Sequence, residues 1–152
     1  MSIPDEMAAI EIVHRCLGER PIAARRFDNG IQHYVYEVSF THRASLVIRM
    51  TVPEQRQAMV GAKFLSAKLR PLGVPLPEIV SSGVEDRFPW LLLERLSGTD
   101  IGDVLGDLSN DAIDRVAMGV ANAQRCVSSI EGEGRFGYAI HPRMRRIAVG
   151  TK

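Results

Sequence analysis

Residues 88–98, FPWLLLERLSG, form an apolar run that stops abruptly at two charged residues. Pro89 and Gly98 bound the run, and this pattern is typical of a short strand covered on both faces. The charges at Glu94 and Arg95 indicate that the chain leaves the core there, at a turn that Gly98 permits. Backbone N–H and C=O groups exposed beside an apolar wall suit a flat heteroaromatic ring. Taken alone, however, the stretch is better interpreted as a buried strand and an ordinary turn.

The composition indicates an ordinary globular protein. The chain has 152 residues, of which 45% are hydrophobic and 24% are charged, and this is enough for one domain or two small lobes. The net charge of +1 gives no bias toward nucleic acid. Cys16 and Cys126 are too few for a disulfide framework, which favours a reducing cytosol. Charges interrupt residues 1–20 and no run approaches the about 20 apolar residues of a membrane span. We therefore expect a cytoplasmic protein that binds neither nucleic acid nor membrane.

The first half of the chain alternates a helix, strands and a second helix. The predicted elements are a helix over 4–17, strands over 22–27, 34–40 and 45–50, and a helix over 53–69. The turn signal Asp28-Asn29-Gly30 and a second turn after residue 40 predict that the three strands form an antiparallel meander. The predicted apolar stripes of the two helices include Met7 and Phe64.

The second half of the chain turns from strands to helices. The predicted elements are an extended segment over 71–77, strands over 78–82 and 89–96, and helices over 100–108 and 110–130. The prolines of 71–77 exclude a regular helix there. Ser109 is the expected N-cap of the last helix, which has apolar residues at helical spacing. The complete order predicts an α+β lobe hinged to the beginning of a helical one.

Four segments resemble the aminoglycoside phosphotransferase family, relatives of choline kinases and protein kinases. In order they are NGIQHYVYEV at 29–38, LVIRM at 46–50, LGVPLP at 72–77 and PWLLLERLSG at 89–98. The resemblance covers roughly 20–138 and implies an α+β fold with a protein-kinase-like N-lobe. That lobe is a mainly antiparallel five-stranded sheet plus helices, followed by the first helices of a helical C-lobe. The resemblance implies an N-lobe over 1–96, a hinge at about 93–98 and the start of a C-lobe over 97–152, ending before the catalytic loop.

The resemblance also implies nucleotide-binding positions. They are Gly30, Gln32, His33, Val35, Val47, Arg49, Leu93, Glu94 and Leu96. The first three belong to a loop whose backbone approaches phosphate oxygens, and Arg49 would neutralise phosphate charge. At the hinge, the Glu94 carbonyl would accept from an adenine amino group and the Leu96 N–H would donate to a ring nitrogen. The remaining apolar positions would wall the base. Without the resemblance, Arg49 can equally be a surface residue at a strand end, and core packing explains the apolar positions.

Two features depart from the family pattern. Where a Glu on the long helix usually pairs with the basic strand residue, spacing places Gly61 or Ala62, and Glu54 lies about two turns too early. The catalytic loop with a His-x-Asp type core, an Asn and a further Asp for metal has no match after Gly98. We therefore predict no catalytic residue and no metal ligand within this chain.

Two functions remain as alternatives, and a degenerate fragment with no selected function is the third interpretation. The first is the nucleotide-binding portion of a small-molecule kinase that uses ATP or GTP with Mg²⁺ to phosphorylate a hydroxyl, whose substrate binds only if a C-lobe is supplied. The second is a catalytically inactive remnant that acts as a nucleotide-binding or protein-interaction module, with self-association through the exposed face of helix 110–130. The GEGRFG motif at 132–137 is poorly placed for a dinucleotide site, because no buried strand precedes it.

Overall fold

The computed structural model describes residues 3–27 and 33–130. Its elements in chain order are α1 (Glu6–Leu17), β1 (Ala23–Arg26), β2 (Tyr34–Ser39), β3 (Leu46–Met50), α2 (Arg56–Leu69), β4 (Ile79–Gly83), β5 (Trp90–Glu94), α3 (Ile101–Val104) and α4 (Asn110–Ser128). Short 3₁₀ turns cover Pro53–Gln55, Arg70–Leu72 and Leu105–Asp107. The predicted nucleotide-binding positions Gly30 and Gln32, and the motif at 132–137, lie outside the described residues.

The strands form one antiparallel sheet in the order β1-β2-β3-β5-β4. The predicted meander of the first three strands is confirmed. The last strand, β5, lies inside the sheet because it pairs with both β3 and β4. Consecutive burial of Trp90, Leu91 and Leu92 shows that both faces of β5 are covered along this part. The apolar run at 88–98 therefore contains an interior strand, β5.

The two faces of the sheet differ in what covers them. On the first, called here the α1 face, α1 packs over alternate strand residues to form the main core. That core comprises Ala9, Ile12, Val13, Ala24, Tyr36, Val38, Phe40, Leu46, Ile48, Met50, Trp90 and Leu92. The opposite side, the second face, carries Val35, Glu37, Val47, Arg49, Leu91 and Leu93. All of these second-face residues except Leu91 remain partly exposed.

Helix α1 is capped at both ends. The Asp5 carboxylate accepts the Ala8 N–H at 2.8 Å, and Gly18 ends the helix in the left-handed region at φ 72°. The predicted stripe of α1 is wrong at Met7, whose side chain is 57% exposed. Steps of three residues fall about 60° short of a full helical turn, so two such steps carry Met7 about 120° away from Val13. In α2, Phe64 lies five residues from both Met59 and Leu69, about 140° around the helix from each, and is at the exposed edge.

Two predicted segments are wrong in part. The extended segment expected from residue 71 begins instead with the 3₁₀ turn Arg70–Leu72, which Gly73 ends at φ 86°. Pro71 fits there because the first helical positions need no N–H donor. The helix expected over 100–108 divides into α3 and the 3₁₀ turn Leu105–Asp107, since Gly102 and Gly106 both disfavour a continuous α-helix.

The β4–β5 turn fastens both long helices of the first half to the sheet. Asp86 Oδ2 accepts from Arg15 of α1 at 2.6 Å and from the Trp90 indole at 2.8 Å. Arg56, the first residue of α2, donates to the carbonyls of Val84 and Asp86. Charge-assisted hydrogen bonds of this kind fix orientation as well as adding stability. The turn thus sets how α1 and α2 lie relative to β5.

Helix α4 follows the predicted pattern but buries nothing. The Ser109 hydroxyl accepts the Ala112 N–H at 3.3 Å, which confirms the predicted N-cap. None of the residues of α4 is buried. A row of apolar residues runs along it at alternating spacings of three and four: Ile113, Val116, Val120, Ala123 and Val127. None of the helices within 3–27 and 33–130 combines the length and apolar character of a membrane-spanning segment.

Candidate functional site

The second face gathers four of the nine predicted nucleotide-binding residues. Its two cross-strand rows are Val35–Arg49–Leu91 and Glu37–Val47–Leu93. Side chains directly opposite each other in an antiparallel pair have Cβ atoms about 4.5–5.5 Å apart. One charged residue, Arg49, therefore lies among apolar neighbours in the first row. In the second row, Val47 and Leu93 form an apolar patch close to where β5 ends.

Arg49 is a cation with little to pair with. Burial lowers the pKa of its guanidinium. Its Nε is buried and has no hydrogen-bond partner among the described residues, and none of the ion pairs found there includes it. Glu54, in the 3₁₀ turn before α2, is exposed. The structure thus leaves a partly buried positive charge on the second face that a bound anion would match.

His33 lies beside this charge. It stands two residues before Val35, and its buried Nδ1 also lacks a partner in the part of the chain that the structure describes. Burial, and then the positive charge of Arg49, lower the pKa of the imidazole. Two unpaired nitrogen groups therefore lie at the same end of the second face.

The segment 94–98, which links β5 to the helices, is held to β4 at its first residue. The Glu94 N–H donates to the Glu78 carbonyl at 3.0 Å, and the Glu94 carboxylate accepts the Glu78 N–H at 2.8 Å. Leu96 is 49% exposed, and Gly98 has φ 131°, a value that favours glycine. Because the Glu94 side chain is occupied by β4, any role of this residue toward a ligand falls to its backbone.

A charged cluster at the edge of the second face was not predicted. The Glu37 carboxylate, 17% exposed, accepts from Arg25 of β1 at 3.0 Å and lies 3.5 Å from Arg95 Nε. Both guanidiniums also lie over the Phe27 ring, at 6.0 Å and 5.6 Å from its centroid. These four residues are called here the Glu37 cluster. Strand alternation alone could have placed Glu37 on the face of Val35, but its partners required the register of three strands.

Two cavities lie away from the second face. A groove of about 570 Å³ runs between Pro75 and the apolar row of α4. A second cavity of about 360 Å³ lies between α2 and β4 and is lined in part by Lys63, Arg70 and Glu78. Neither includes any of the predicted nucleotide-binding residues. Within 3–27 and 33–130, no three or more His, Cys, Asp or Glu side chains come together as a metal site.

The architecture defines the class of the fold. A five-stranded antiparallel sheet with α1 and α2, followed by α3 and α4, matches a kinase-like N-lobe fold with the first helices of a helical lobe after it. The chain is similar to the solved structure of the GDP complex of wild-type aminoglycoside 2'-phosphotransferase-IIIa, with a TM-score of 0.67 and 16% identity. The match covers 84% of this chain and 43% of that chain, so this chain spans less than half of that enzyme. Neither a family model nor a curated protein matches the sequence. The predicted fold class is confirmed.

Proposed function

We propose that this chain binds a nucleoside triphosphate, ATP or GTP with Mg²⁺, on the second face of its sheet. The observation that carries the proposal is Arg49, a partly buried guanidinium whose Nε has no partner among the described residues. A cation withdrawn from water raises the free energy of the protein unless an anion pairs with it. The planar guanidinium matches phosphate oxygens through two parallel hydrogen bonds, which a point charge cannot do.

The layout of the face gives the ligand a direction. Arg49 and His33 would contact the phosphates, together with Gly30 and Gln32 of the preceding loop. Val47 stands two residues from Arg49 along β3, a rise of about 7 Å, on the side of the 94–98 segment. There the base would pack against Val35, Val47 and Leu93 and bind the backbone of Glu94 and Leu96. In this proposal the hinge lies at about 93–98, between an N-lobe over 1–96 and the start of a C-lobe over 97–152.

The comparison supports the proposal at the level of the fold. The solved neighbour is described as a GDP complex, and its fold matches this chain over most of the chain's length. Mg²⁺ would reach the site on the nucleotide phosphates, whose charge it offsets. Transfer of the terminal phosphoryl group to a small-molecule hydroxyl would need a C-lobe that supplies the catalytic base and metal ligands. We assign neither role to a residue of this chain.

Arg49→Met tests the proposal with two readouts of opposite sign. Methionine keeps most of the side-chain volume and removes the charge, so the free protein should gain about 2–4 °C in Tm, or about 1 kcal/mol. The same substitution should abolish the stabilisation by millimolar Mg-ATP or Mg-GTP that the unsubstituted protein shows. Differential scanning fluorimetry measures both quantities in one plate.

Arg43→Met is the matched control, because Arg43 is an exposed arginine in the β2–β3 turn. It should leave the nucleotide-induced shift unchanged. No shift of the unsubstituted protein at millimolar nucleotide, or an undiminished shift in Arg49→Met, rejects the proposed site.

The exposed row of α4 favours a second function, self-association. Spacings of three and four place its five apolar residues on a seam of the kind that packs against another helix. The charged residues of α4 all lie off this seam: Asp111, Asp114, Arg115 and Arg125. The same seam of a second copy can therefore pack against it without opposing like charges. We propose that two copies pair through α4, with Pro75 at the rim of the groove.

Light scattering across a concentration series tests this pairing. The unsubstituted protein should form a dimer, and Val120→Glu, which puts a charge on the seam, should be a monomer. The neighbouring exposed Ala121, which lies off the seam, provides the control Ala121→Glu. A monomer at all concentrations, or dissociation by both substitutions alike, excludes pairing through this seam.

A further inference from the structure

We propose that Arg95 is a positioning residue, which holds the backbone at 95–96 in place for the base of the nucleotide. The inference rests on the proposed function, because it concerns the segment that would bind that base. Arg95 acts through Glu37 and through the backbone of its own segment.

The Arg95 side chain contacts two residues of the first half of the chain and the backbone of its own segment. Its Nε lies 3.5 Å from the Glu37 carboxylate on β2, and its guanidinium lies 5.6 Å from the ring centroid of Phe27. A second nitrogen of the same side chain, Nη1, donates to the carbonyl of Leu96. One side chain thus joins the segment after β5 to β2 and to the end of β1.

This link reaches across a strand. Glu37 pairs with Val47 of β3, and Val47 pairs with Leu93 of β5, so β3 lies between the two ends of the Arg95–Glu37 ion pair. Leu93 and Arg95 are two residues apart, and the contact of Arg95 with Glu37 shows that its side chain turns toward the second face. The ion pair therefore borders the apolar patch of Val47 and Leu93 on the side where the chain leaves the sheet.

The link begins where the sheet hydrogen bonds end. Glu94 is fixed by its two hydrogen bonds with Glu78, the residue before β4. The next residue, Arg95, is held through its side chain, and its bond to the Leu96 carbonyl extends that hold by one residue. A segment ordered before the ligand arrives loses less conformational entropy when it binds. Arg95 is thus placed to lower the entropic cost of base binding.

Arg25 provides a control from within the Glu37 cluster. It forms the shorter ion pair with Glu37, at 3.0 Å, and lies over the same ring at 6.0 Å, but it comes from β1. Arg25→Ala and Arg95→Ala therefore each remove one positive charge that pairs with the Glu37 carboxylate. They differ in whether the 94–98 segment loses its link to the sheet.

The experiment compares two probes by isothermal titration: adenosine or guanosine, which carry a base without phosphates, and inorganic triphosphate. Arg95→Ala should weaken nucleoside binding about tenfold, equivalent to about 1.4 kcal/mol, and leave triphosphate binding within about twofold. Arg25→Ala should leave both within about twofold. Hydrogen exchange should become faster at the amides of 95–97 in Arg95→Ala, and should stay unchanged in Arg25→Ala.

Coupling to Glu37 completes the test. Glu37→Gln should reproduce part of the effect, and the double variant Arg95→Ala with Glu37→Gln should be no weaker than Arg95→Ala alone. Arg95→Lys keeps a cation near Glu37 and should recover part of the nucleoside affinity. Additive losses, equal losses from Arg25→Ala, or an unchanged nucleoside affinity in Arg95→Ala overturn the inference while leaving the proposed function intact. Failure of the unsubstituted protein to bind nucleotide rejects the proposed function and this inference together.

Discussion

The sheet and α4 carry similar apolar side chains, which are buried in the sheet and exposed on α4. On the α1 face, Val38, Ile48 and Leu92 are 0% exposed, whereas Val120 of α4 is 53% exposed. Both regions show regular apolar spacing, of period two in the strands and of three and four in the helix. The difference is that α1 covers the sheet, while no described element covers the seam of α4 in the same way. Regular apolar spacing therefore identifies the apolar face of a strand or helix. It does not show whether another element of the same chain covers that face.

The largest expected effect comes from cutting equivalent apolar side chains in the two regions. Leu92→Ala removes a fully buried side chain of the interior strand β5 and should cost about 3 kcal/mol of unfolding free energy. Val120→Ala, on the exposed seam, should change it by less than about 0.5 kcal/mol. Urea unfolding at low protein concentration measures both, because pairing through α4 would add a concentration-dependent contribution. Similar costs would remove the contrast between the two regions.

Replacing a glycine by alanine should change the stability in opposite directions in the two regions. A Cβ on Gly83 of β4 would overlap the indole of Trp90, so Gly83→Ala should destabilise the fold by about 1–3 kcal/mol. A Cβ on Gly119 of α4 meets nothing within 4 Å, and alanine is the better helix former, so Gly119→Ala should stabilise by up to about 1 kcal/mol.

Thermal unfolding followed by the fluorescence of Trp90, the only tryptophan of the chain, reads both changes. A stable Gly83→Ala protein with unaltered indole emission would show that β4 and β5 can separate without loss.

Replacing an arginine by alanine should destabilise the protein more in the first region than in α4, but by a smaller margin than the substitutions above. Arg56 donates to two carbonyls of the β4–β5 turn, and Arg56→Ala leaves both without that donor, at a cost of about 1–2 kcal/mol. Arg125 of α4 is exposed, and Arg125→Ala should cost less than about 0.5 kcal/mol. Equal Tm values for the two variants would mean that the turn does not depend on Arg56 to hold α2.

The smallest expected effect is a pH dependence that originates in the sheet. The pKa of His33 is lowered in the folded protein from its ordinary value of 6.5, so the unfolded chain binds more protons below that pH. Stability should therefore fall as the pH drops from 6.5 through the lowered folded pKa, and His33→Gln should reduce this fall. His42→Gln, at an exposed histidine of the β2–β3 turn, is the control. Tm values measured between pH 7.5 and 5 decide whether His33 contributes.

Much of the local structure could be predicted from the sequence because it depends on neighbouring residues. Alternating apolar residues and the proline spacing predict most of the observed strands and helices, and Ser109 caps α4 as expected. The errors arise where the immediate sequence fits two conformations. The segment after Leu69 admitted a 3₁₀ turn despite Pro71, and the stripe of α1 shifted from Met7 to Ala9. Propensity and spacing alone do not choose between such alternatives.

The candidate site was predictable only where strand alternation places a residue. Spacing was enough to place Val35, Val47, Arg49 and Leu93 on one face once they were assigned to strands. Arg95 was predicted as the end of an apolar run, and nothing in its neighbours points to Glu37, 58 positions earlier in the chain. Pairings at such separation depend on strand order, which local patterns do not encode.

The sequence by itself determined the elements, their caps and the faces that are apolar, because these depend on interactions over a few residues. Only the tertiary structure decided that β5 lies between β3 and β4, that Arg49 stands on the second face without a partner among the described residues, and that Arg95 reaches Glu37. Each of these depends on contacts between distant segments. The free energy that stabilises these contacts comes from apolar burial and charge pairing when the strands assemble into the sheet. It therefore cannot be assigned to a single segment.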